Sequence, residues 1–263
     1  MSETILNKIF AAKKLRVDAD KRSIGIERIK ELAAEKRFSS EKHRMRSALE
    51  KRSRFNIIAE FKRASPSEGV INEATDPYSV ALSYEKGGAA AISVLTEEDF
   101  FKGSLDDLRA VRKAVDLPIL RKDFVFDAYQ VFESAAAGAD AILLIAAMLN
   151  DKTLVELHHL AESELGLDAL VEVHTLEELE RVKLLNAVLI GVNNRDLRTF
   201  NVSLDVSREL IRHASENSLM VTESGLKTRL DLIELRQLGY SGFLIGETLM
   251  RSGDPAGMLE LLK

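Results

Sequence analysis

The chain has 263 residues, of which 46% are hydrophobic and none is cysteine. This length suits one large domain or two small ones, and the apolar content is enough for a sizeable core. The missing cysteines exclude disulfide bonds and thiolate metal sites and are typical of a cytoplasmic protein. The five histidines show no HExxH spacing, so we do not expect a metal enzyme.

No part of the sequence predicts contact with a membrane. The longest apolar run, residues 139–148, is about ten residues and contains Asp140, whereas a membrane-spanning helix needs about 20. The N-terminus has charges among its apolar residues and no signal-peptide core. We therefore predict a cytoplasmic protein.

Charge is distributed unevenly along the chain. Residues 1–54 contain 16 Lys/Arg against 8 Asp/Glu, whereas the remainder contains 21 against 34. A basic arm is one mark of a nucleic-acid-binding protein. This arm, however, has apolar residues at helical spacing and no aromatic stacking platform. We favour a helical extension that lies against the acidic body; alternatively, the arm lends positive charge to a site for an anionic substrate.

The first strand after the arm carries two charges. Residues 57–61 form a mostly apolar run, yet Glu60 and Lys62 lie two positions apart within the stretch. Side chains alternate between the two faces of a strand, so both project from the same side. Charges are costly to bury unless they pair or take part in chemistry. This stretch alone leaves open whether the pair is solvated on an edge strand or belongs to a site.

Seven more apolar runs follow, separated by amphipathic helical patterns. Successive runs begin about 20 to 30 residues apart, which leaves room for one crossover helix each. The predicted strands are residues 57–61, 89–95, 118–123, 141–145, 169–173, 188–192, 219–222 and 242–245.

Capping residues mark the ends of the intervening helices. Asp76 before Pro77 predicts a helix start, and Ser104 and Thr175 each precede an acid by three residues. Gly138 and Gly239 stand where helices should end. Eight strands with little alternation and one helix each predict a (β/α)₈ TIM barrel, an α/β fold, with a helical extension over residues 1–54 and the barrel over 55–263 as one domain. A doubly wound sheet is the runner-up, but it lacks a GxGxxG turn.

Ionisable and polar side chains lie near the C-terminal ends of these strands, where a barrel places its reactive groups. Each could be an isolated ion pair, but their convergence on one rim favours a functional pocket. The residues are Glu60 and Lys62 from the first strand, Lys122 from the third, Glu172 from the fifth, Asn193 and Arg195 after the sixth, and Glu223 and Ser224 after the seventh.

The loops after strands seven and eight predict a phosphate site. Gly225 and Gly246 leave backbone N–H groups unobstructed, and residues 246–251 can form an extra helix whose N-terminus favours an anion. Alternatively, the glycines only satisfy turn geometry. Glu247 would repel a phosphate unless its side chain points away. Of the histidines, only His174 is expected to be a neighbour of the pocket.

The sequence resembles the indole-3-glycerol phosphate synthase family over essentially its whole length. The resemblance rests on seven stretches in order: IAEFKRASPS (58–67), VLTE (94–97), LPILRKDF (117–124), LVEVH (170–174), GVNNRDL (191–197), TESG (222–225) and LIGETLM (244–250). Arg121, before the lysine, departs from the apolar or small residue that would be less surprising there.

The resemblance implies conversion of 1-(2-carboxyphenylamino)-1-deoxyribulose 5-phosphate to indole-3-glycerol phosphate, CO₂ and water, without cofactor or metal. For this chemistry we assign Lys122 as the general acid, because a lysine near other cations can have a lowered pKa. Glu172 and Glu60 are placed to remove protons or to stabilise cationic intermediates, and the sequence leaves open which lysine acts in which step. Lys62 would hold the substrate carboxylate or assist the leaving hydroxyl. Asn193 would orient sugar hydroxyls, and Ser224 belongs to the catalytic set. The implied substrate- and phosphate-binding residues are Ser65, Arg195, Gly225, Gly246 and Glu247.

Three alternatives remain at this point. Phosphoribosylanthranilate isomerase, another phosphate-binding barrel, would need a cysteine that this chain lacks. A catalytically silent scaffold is disfavoured by the intact charged set, and a nucleic-acid binder would depend on the basic arm alone. We expect a small phosphorylated substrate, no nucleic-acid or membrane partner, and a monomer.

Overall fold

A closed barrel of eight parallel strands forms the centre of the protein in the computed structural model, which describes residues 5–51 and 55–263. The fold prediction is confirmed, and the doubly wound alternative is wrong because the first strand pairs with both the second and the last. The barrel strands are β1 (Ile57–Phe61), β4 (Ala91–Leu95), β5 (Ile119–Lys122), β6 (Ala141–Ile145), β7 (Asp168–Val173), β8 (Leu189–Asn193), β9 (Leu219–Glu223) and β10 (Gly242–Ile245).

Helices cover the outside of the barrel and precede it in the chain. The extension contains α1 (Ile5–Ser23), α2 (Ile26–Phe38) and α3 (Arg44–Leu49). The remaining helices are α4 (Pro77–Lys86), α5 (Leu105–Ala114), α6 (Ala128–Ala137), α7 (Asp151–His159), α8 (Leu176–Lys183), α9 (Asp205–Leu210), α10 (Arg229–Leu238), α11 (Glu247–Met250) and α12 (Pro255–Leu262). Short helical turns follow β6, α7 and α9, and the turn after α7 (Leu160–Glu164) is a π-helix. None of the described helices has both the length and the apolar character needed to cross a bilayer.

The three predicted N-caps are all present. The side chains of Asp76, Ser104 and Thr175 each accept a hydrogen bond from the backbone N–H three residues later. Gly138 and Gly239 end α6 and α10 with φ values of 94° and 120°, a region that favours glycine. Local sequence therefore specifies where the crossover helices begin and end.

Successive residues of the strands alternate between two apolar cores. Ile57 and Ala59 of β1 face the layer between sheet and helices, whereas Ile58 faces the barrel interior. The interior core also contains Met45 and Leu49 from α3 and Ile9 from α1. The extension is thus part of the hydrophobic core of the barrel.

The structure contains one small hairpin that was not predicted from the sequence. The loop after β1 contains β2 (Ala64–Ser65) paired antiparallel with β3 (Gly69–Val70). With two residues in each strand, such a hairpin has no hydrophobic periodicity to detect.

The basic extension binds the acidic barrel through ion pairs. Cations of the extension pair with acids of the barrel in Lys13–Glu98, Arg16–Asp99, Lys21–Asp127, Arg44–Asp140 and Arg46–Glu162. The arrangement agrees with an extension packed against the body.

A buried ionic cluster lies where α1 meets the end of β5. Asp123 accepts hydrogen bonds from Lys13 (3.1 Å), Thr96 (2.6 Å) and Arg121 (3.0 Å). Arg121 also reaches Glu133 on α6 at 2.8 Å. The unexpected arginine therefore faces outward from the barrel, where two acids neutralise it.

Replacing Asp123 tests this cluster, because Asp123→Asn would remove the carboxylate that Lys13 and Arg121 share and leave each of these buried cations with a single acid partner. We expect the free energy of unfolding at pH 7 to fall by about 3 kcal/mol, measured by urea denaturation. Burial raises the pKa of Asp123, but Lys13 and Arg121 outweigh it and hold the pKa at about 2, against an ordinary value of 3.8.

The folded pKa is depressed, so the stabilisation is present above pH 4 and is lost as the pH falls towards 2. The wild type and Asp123→Asn should then converge in stability. Asp106→Asn on the exposed face of α5 is the control and should change stability by less than about 0.5 kcal/mol. Equal stability of all three proteins at pH 7 would contradict the assignment.

Candidate active site

A cavity of about 400 Å³ opens at the C-terminal ends of the barrel strands. All eleven of the predicted site residues line it, together with Glu223. Its wall also includes apolar side chains from α1 (Ile5, Leu6 and Ile9) and from the barrel (Leu95, Phe101, Phe124, Leu143, Ile145, Leu197, Phe200, Leu226, Leu244 and Ile245). The site therefore combines a charged floor with an apolar wall, part of which comes from the extension.

The floor consists of a lysine held between carboxylates. Lys122 Nζ lies 2.7 Å from Glu223 Oε2 and 3.1 Å from Glu172 Oε2. Glu60 is in β1, Lys122 in β5, Glu172 in β7 and Glu223 in β9. These are the first, third, fifth and seventh strands of the barrel in chain order. Alternate strands of a barrel contribute side chains to the same layer, which explains why residues so far apart in sequence meet.

The surroundings of Lys122 overturn one expectation. Burial lowers the pKa of Lys122, but the negative charges of Glu172, Glu223 and Glu60 outweigh it, and the pKa is raised above 10.5. The predicted lowering is wrong because carboxylates, not cations, are the nearest charged neighbours. Lys122 is therefore an ammonium ion with a proton to donate.

The two carboxylates that contact Lys122 differ in acidity. Burial raises the pKa of both, but Lys122 and His174 outweigh it for Glu172, and the pKa of Glu172 is lowered. For Glu223, burial and the neighbouring Glu172 outweigh Lys122 and raise the pKa to about 7. Because the pKa of Glu172 is lowered and that of Glu223 is raised, Glu172 is suited to accept a proton and Glu223 to carry one.

Glu60 and Lys62 form an ion pair across one face of the first strand. Their Oε1 and Nζ atoms lie 2.7 Å apart, and the side chains are 5% and 18% exposed. The prediction that both share a face is confirmed, and the solvated edge pair is wrong. Lys62 thus presents a positive charge at the mouth of the cavity.

Two glycines make room for the carboxylates. A Cβ atom on Gly246 would lie 2.3 Å from Glu60 Oε1, and one on Gly191 would lie 2.3 Å from Glu223 Oε1. Any side chain at either position would displace the carboxylate. From the sequence, Glu223 was expected on the rim but without a role in the reaction, and Gly191 was not expected at the site.

Asn193 ties the ends of β8 and β9 together. Its Oδ1 accepts hydrogen bonds from Ser224 Oγ at 2.9 Å and from the Arg195 backbone N–H at 3.0 Å. Its side chain also hydrogen-bonds Glu172, which helps to lower the pKa of that carboxyl. Asn193 therefore joins the charged floor to the neighbouring loops.

The predicted phosphate residues lie together on one side of the cavity. Ser224 and Gly225 have φ values of 67° and 80°, and α11 (Glu247–Met250) lies within the segment 246–251 for which an extra helix was predicted. Glu247 Oε1 pairs with Arg251 Nε at 3.2 Å, so its carboxylate is neutralised. Arg195 is half-buried, with Nη2 3.8 Å from Glu68. Ser65, in β2, accepts the Glu68 N–H at 3.2 Å.

His174 lies behind this site, not on the cavity wall. Its Nε2 is 3.5 Å from Glu172 Oε1. The described chain also brings His43, Glu162 and Asp168 together, but Arg46 pairs with both carboxylates, so each acid already has a cationic partner.

Comparisons with known proteins point to one enzyme family. The family model described as indole-3-glycerol phosphate synthase matches residues 6–262. The indole-3-glycerol phosphate synthase of Carboxydothermus hydrogenoformans is 51% identical over 212 residues, covering 80% of each chain. That of Alkaliphilus metalliredigens is 43% identical and covers 94% of each chain. That of Variovorax paradoxus is 43% identical and covers 98%.

Two solved structures of other proteins have a similar fold. Thiamine phosphate pyrophosphorylase from Pyrococcus furiosus has a TM-score of 0.60 at 17% identity and covers 80% of this chain and 95% of its own. The N-acetylmannosamine-6-phosphate 2-epimerase from Clostridium perfringens has a TM-score of 0.56 at 19% identity and covers 74% and 88%. At such identities the likeness concerns the fold alone.

The acidity of Glu223 can be measured directly. We expect its side-chain carboxyl carbon to titrate near pH 7 in ¹³C NMR. Glu172→Gln should move the midpoint to lower pH, because it removes a negative charge that raises the pKa of Glu223. Exposed Glu234, whose pKa Arg208 lowers, serves as the control and should not change. A Glu223 midpoint below pH 5 in the wild type would contradict the assignment.

Proposed function

The chain belongs to the indole-3-glycerol phosphate synthase family, and we propose that Lys122 and Glu172 perform the proton transfers of its reaction. The protein is a carboxy-lyase of tryptophan biosynthesis that acts on a small phosphorylated substrate. The observation that supports the proposal is the Lys122 ammonium group, which lies 3.1 Å from Glu172 and 2.7 Å from Glu223 on the cavity floor.

Ring closure needs a proton donor. The ring carbon that bears the substrate carboxylate attacks the ketone carbon, and the electron pair of the C=O bond moves onto oxygen. Lys122 donates its proton to this oxygen, which becomes a hydroxyl group. The oxyanion is far more basic than an amine, so a lysine with a raised pKa can still protonate it. Glu223, with a pKa of about 7, can return a proton to Lys122.

Closure also leaves positive charge on the ring nitrogen, conjugated with the attacked ring. Carboxylates at the cavity floor stabilise that charge, and we assign this role to Glu60 and Glu172. The bond to the substrate carboxylate then breaks as CO₂ leaves, and its electrons restore the aromatic ring. Lys62 holds the carboxylate before this step, because its ammonium group lines the cavity beside Glu60.

Dehydration completes the indole. The hydroxyl group leaves as water after taking a proton from a lysine, assisted by the lone pair of the ring nitrogen. Glu172 then accepts the proton from the adjacent carbon, which forms the second double bond of the five-membered ring. Glu172 suits this role because its pKa is lowered, so it is ionised at neutral pH. Asn193 orients this carboxylate and the sugar hydroxyls.

The phosphate group is assigned to the side of the cavity formed by the last loops. Ser65 and the backbone around Ser224, Gly225, Gly246 and Glu247 surround the proposed position, and Arg195 supplies a positive charge. The ring system would then lie against the apolar wall, which α1 helps to form.

The remaining expectations are also proposals. We propose that the protein is cytoplasmic, that it is a single domain and monomer, and that it binds no nucleic acid. The ion pairs of the extension support the last point, because they use cations that a phosphate backbone would need. Sedimentation velocity tests the monomer, and salt-dependent retention on immobilised DNA would contradict the last proposal.

The role of Lys122 has a direct test. Lys122→Met should lower kcat by at least about 10³-fold with a modest change in KM, because general acid catalysis contributes about 10² to 10⁴. The assay follows indole fluorescence on incubation with the carboxyphenylamino ribulose phosphate. Lys152→Met, at a lysine whose side chain is 84% exposed, is the matched control. An unimpaired kcat in a folded Lys122→Met variant would refute the assignment.

Arg195→Met tests the phosphate position. A charged hydrogen bond contributes about 1.5 to 3 kcal/mol, so KM should rise about tenfold or more while kcat changes little. Arg198→Met, on the exposed part of the same loop, should leave both constants unchanged. If Arg195→Met lowers kcat instead of raising KM, Arg195 acts on the reacting atoms and not on the phosphate.

A further inference from the structure

His174 follows β7 directly and lies between two carboxylates. Its Nε2 is 3.5 Å from Glu172 Oε1, and its Nδ1 is 3.6 Å from Glu178 Oε2. The side chain is only 12% exposed and does not line the cavity. His174 therefore contacts Glu172 from the side that faces away from the substrate.

Glu178 fixes the position of the histidine. This residue is in the first turn of α8, and its Oε2 atom also accepts the His174 backbone N–H at 2.7 Å. Neither ring nitrogen of His174 has a hydrogen-bond partner of ideal geometry within the described chain. The two carboxylates are thus its nearest polar neighbours.

The charges around the ring favour the imidazolium form. Burial lowers the pKa of His174, but Glu178 and Glu172, with a smaller contribution from Glu223, outweigh it and raise the pKa above 6.5. Lys122 contacts the other carboxylate oxygen of Glu172, Oε2, at 3.1 Å. Glu172 is therefore held between two cations, with one on each oxygen.

We propose that His174 is a positioning residue that, as an imidazolium ion anchored by Glu178, orients Glu172 and keeps it ionised for proton transfer. The inference rests on the role of Glu172 proposed above and extends it to a residue that does not touch the substrate. Lys122 alone cannot serve this purpose, because it gives up its own proton during the reaction. His174 supplies a positive charge that persists through that step.

The test separates charge from packing. His174→Gln removes the cation, and we expect kcat to fall about tenfold with KM unchanged within about twofold. The acidic limb of the kcat–pH profile should move up by about one pH unit, because an opposite charge at this distance lowers a carboxyl pKa by 1 to 3. His174→Lys keeps a positive charge and should leave the limb near its wild-type position.

A matched histidine provides the control. His213 Nε2 lies 3.6 Å from Glu209 Oε1, but the side chain is 39% exposed and does not line the cavity. His213→Gln should change neither kcat nor the pH profile. The proposal is overturned if His174→Gln and His174→Lys both keep the wild-type acidic limb.

An NMR titration tests the contact without relying on the reaction. The imidazole nitrogens of His174 should titrate above pH 6.5 in the wild type, and Glu178→Gln should lower that midpoint. A wild-type midpoint below 6.5 would overturn the proposal even if the His174→Gln variant failed to fold. Absence of indole formation by the wild type would instead refute the proposed function, and the titration would still report on the contact.

Discussion

A lysine ammonium ion surrounded by carboxylates at the top of a closed barrel is the constraint on which the rest of this structure depends. Lys122 contacts Glu172 and Glu223 directly, and the charge of Glu60 also acts on it. Three carboxylates around one ammonium ion leave an excess of negative charge in the buried floor of the cavity. The excess is accommodated in two ways: Lys62 and His174 contribute cations, and Glu223 has a pKa near neutrality.

Much of this arrangement could be predicted from the sequence. The apolar runs located all eight barrel strands to within two residues at each end, and the charged residues that interrupt them line one cavity. Parallel strands in a barrel put their C-terminal ends on one rim, so a local pattern carries information about a distant neighbour. Capping side chains such as Asp76 likewise located the starts of helices.

Other features depend on contacts that no local pattern reveals. Lys122 and Glu223 are 101 positions apart, and their distance decides whether the pKa of the lysine rises or falls. Arg121 looked out of place because the outer face of a barrel strand is normally apolar. Its partners Asp123 and Glu133 come from the same βα unit, yet nothing in their spacing specifies that they meet.

Gly191 and Gly246 provide the space that the carboxylates of Glu223 and Glu60 occupy. Glu60 and Glu223 rest against the backbone at Gly246 and Gly191, so main chain, not variable side chains, shields part of each carboxylate from water. The apolar wall is formed by other residues, including Leu95 and Ile145. A protein engineer who wished to admit a bulkier or substituted aromatic ring could therefore vary that wall while leaving the acid–base groups in place.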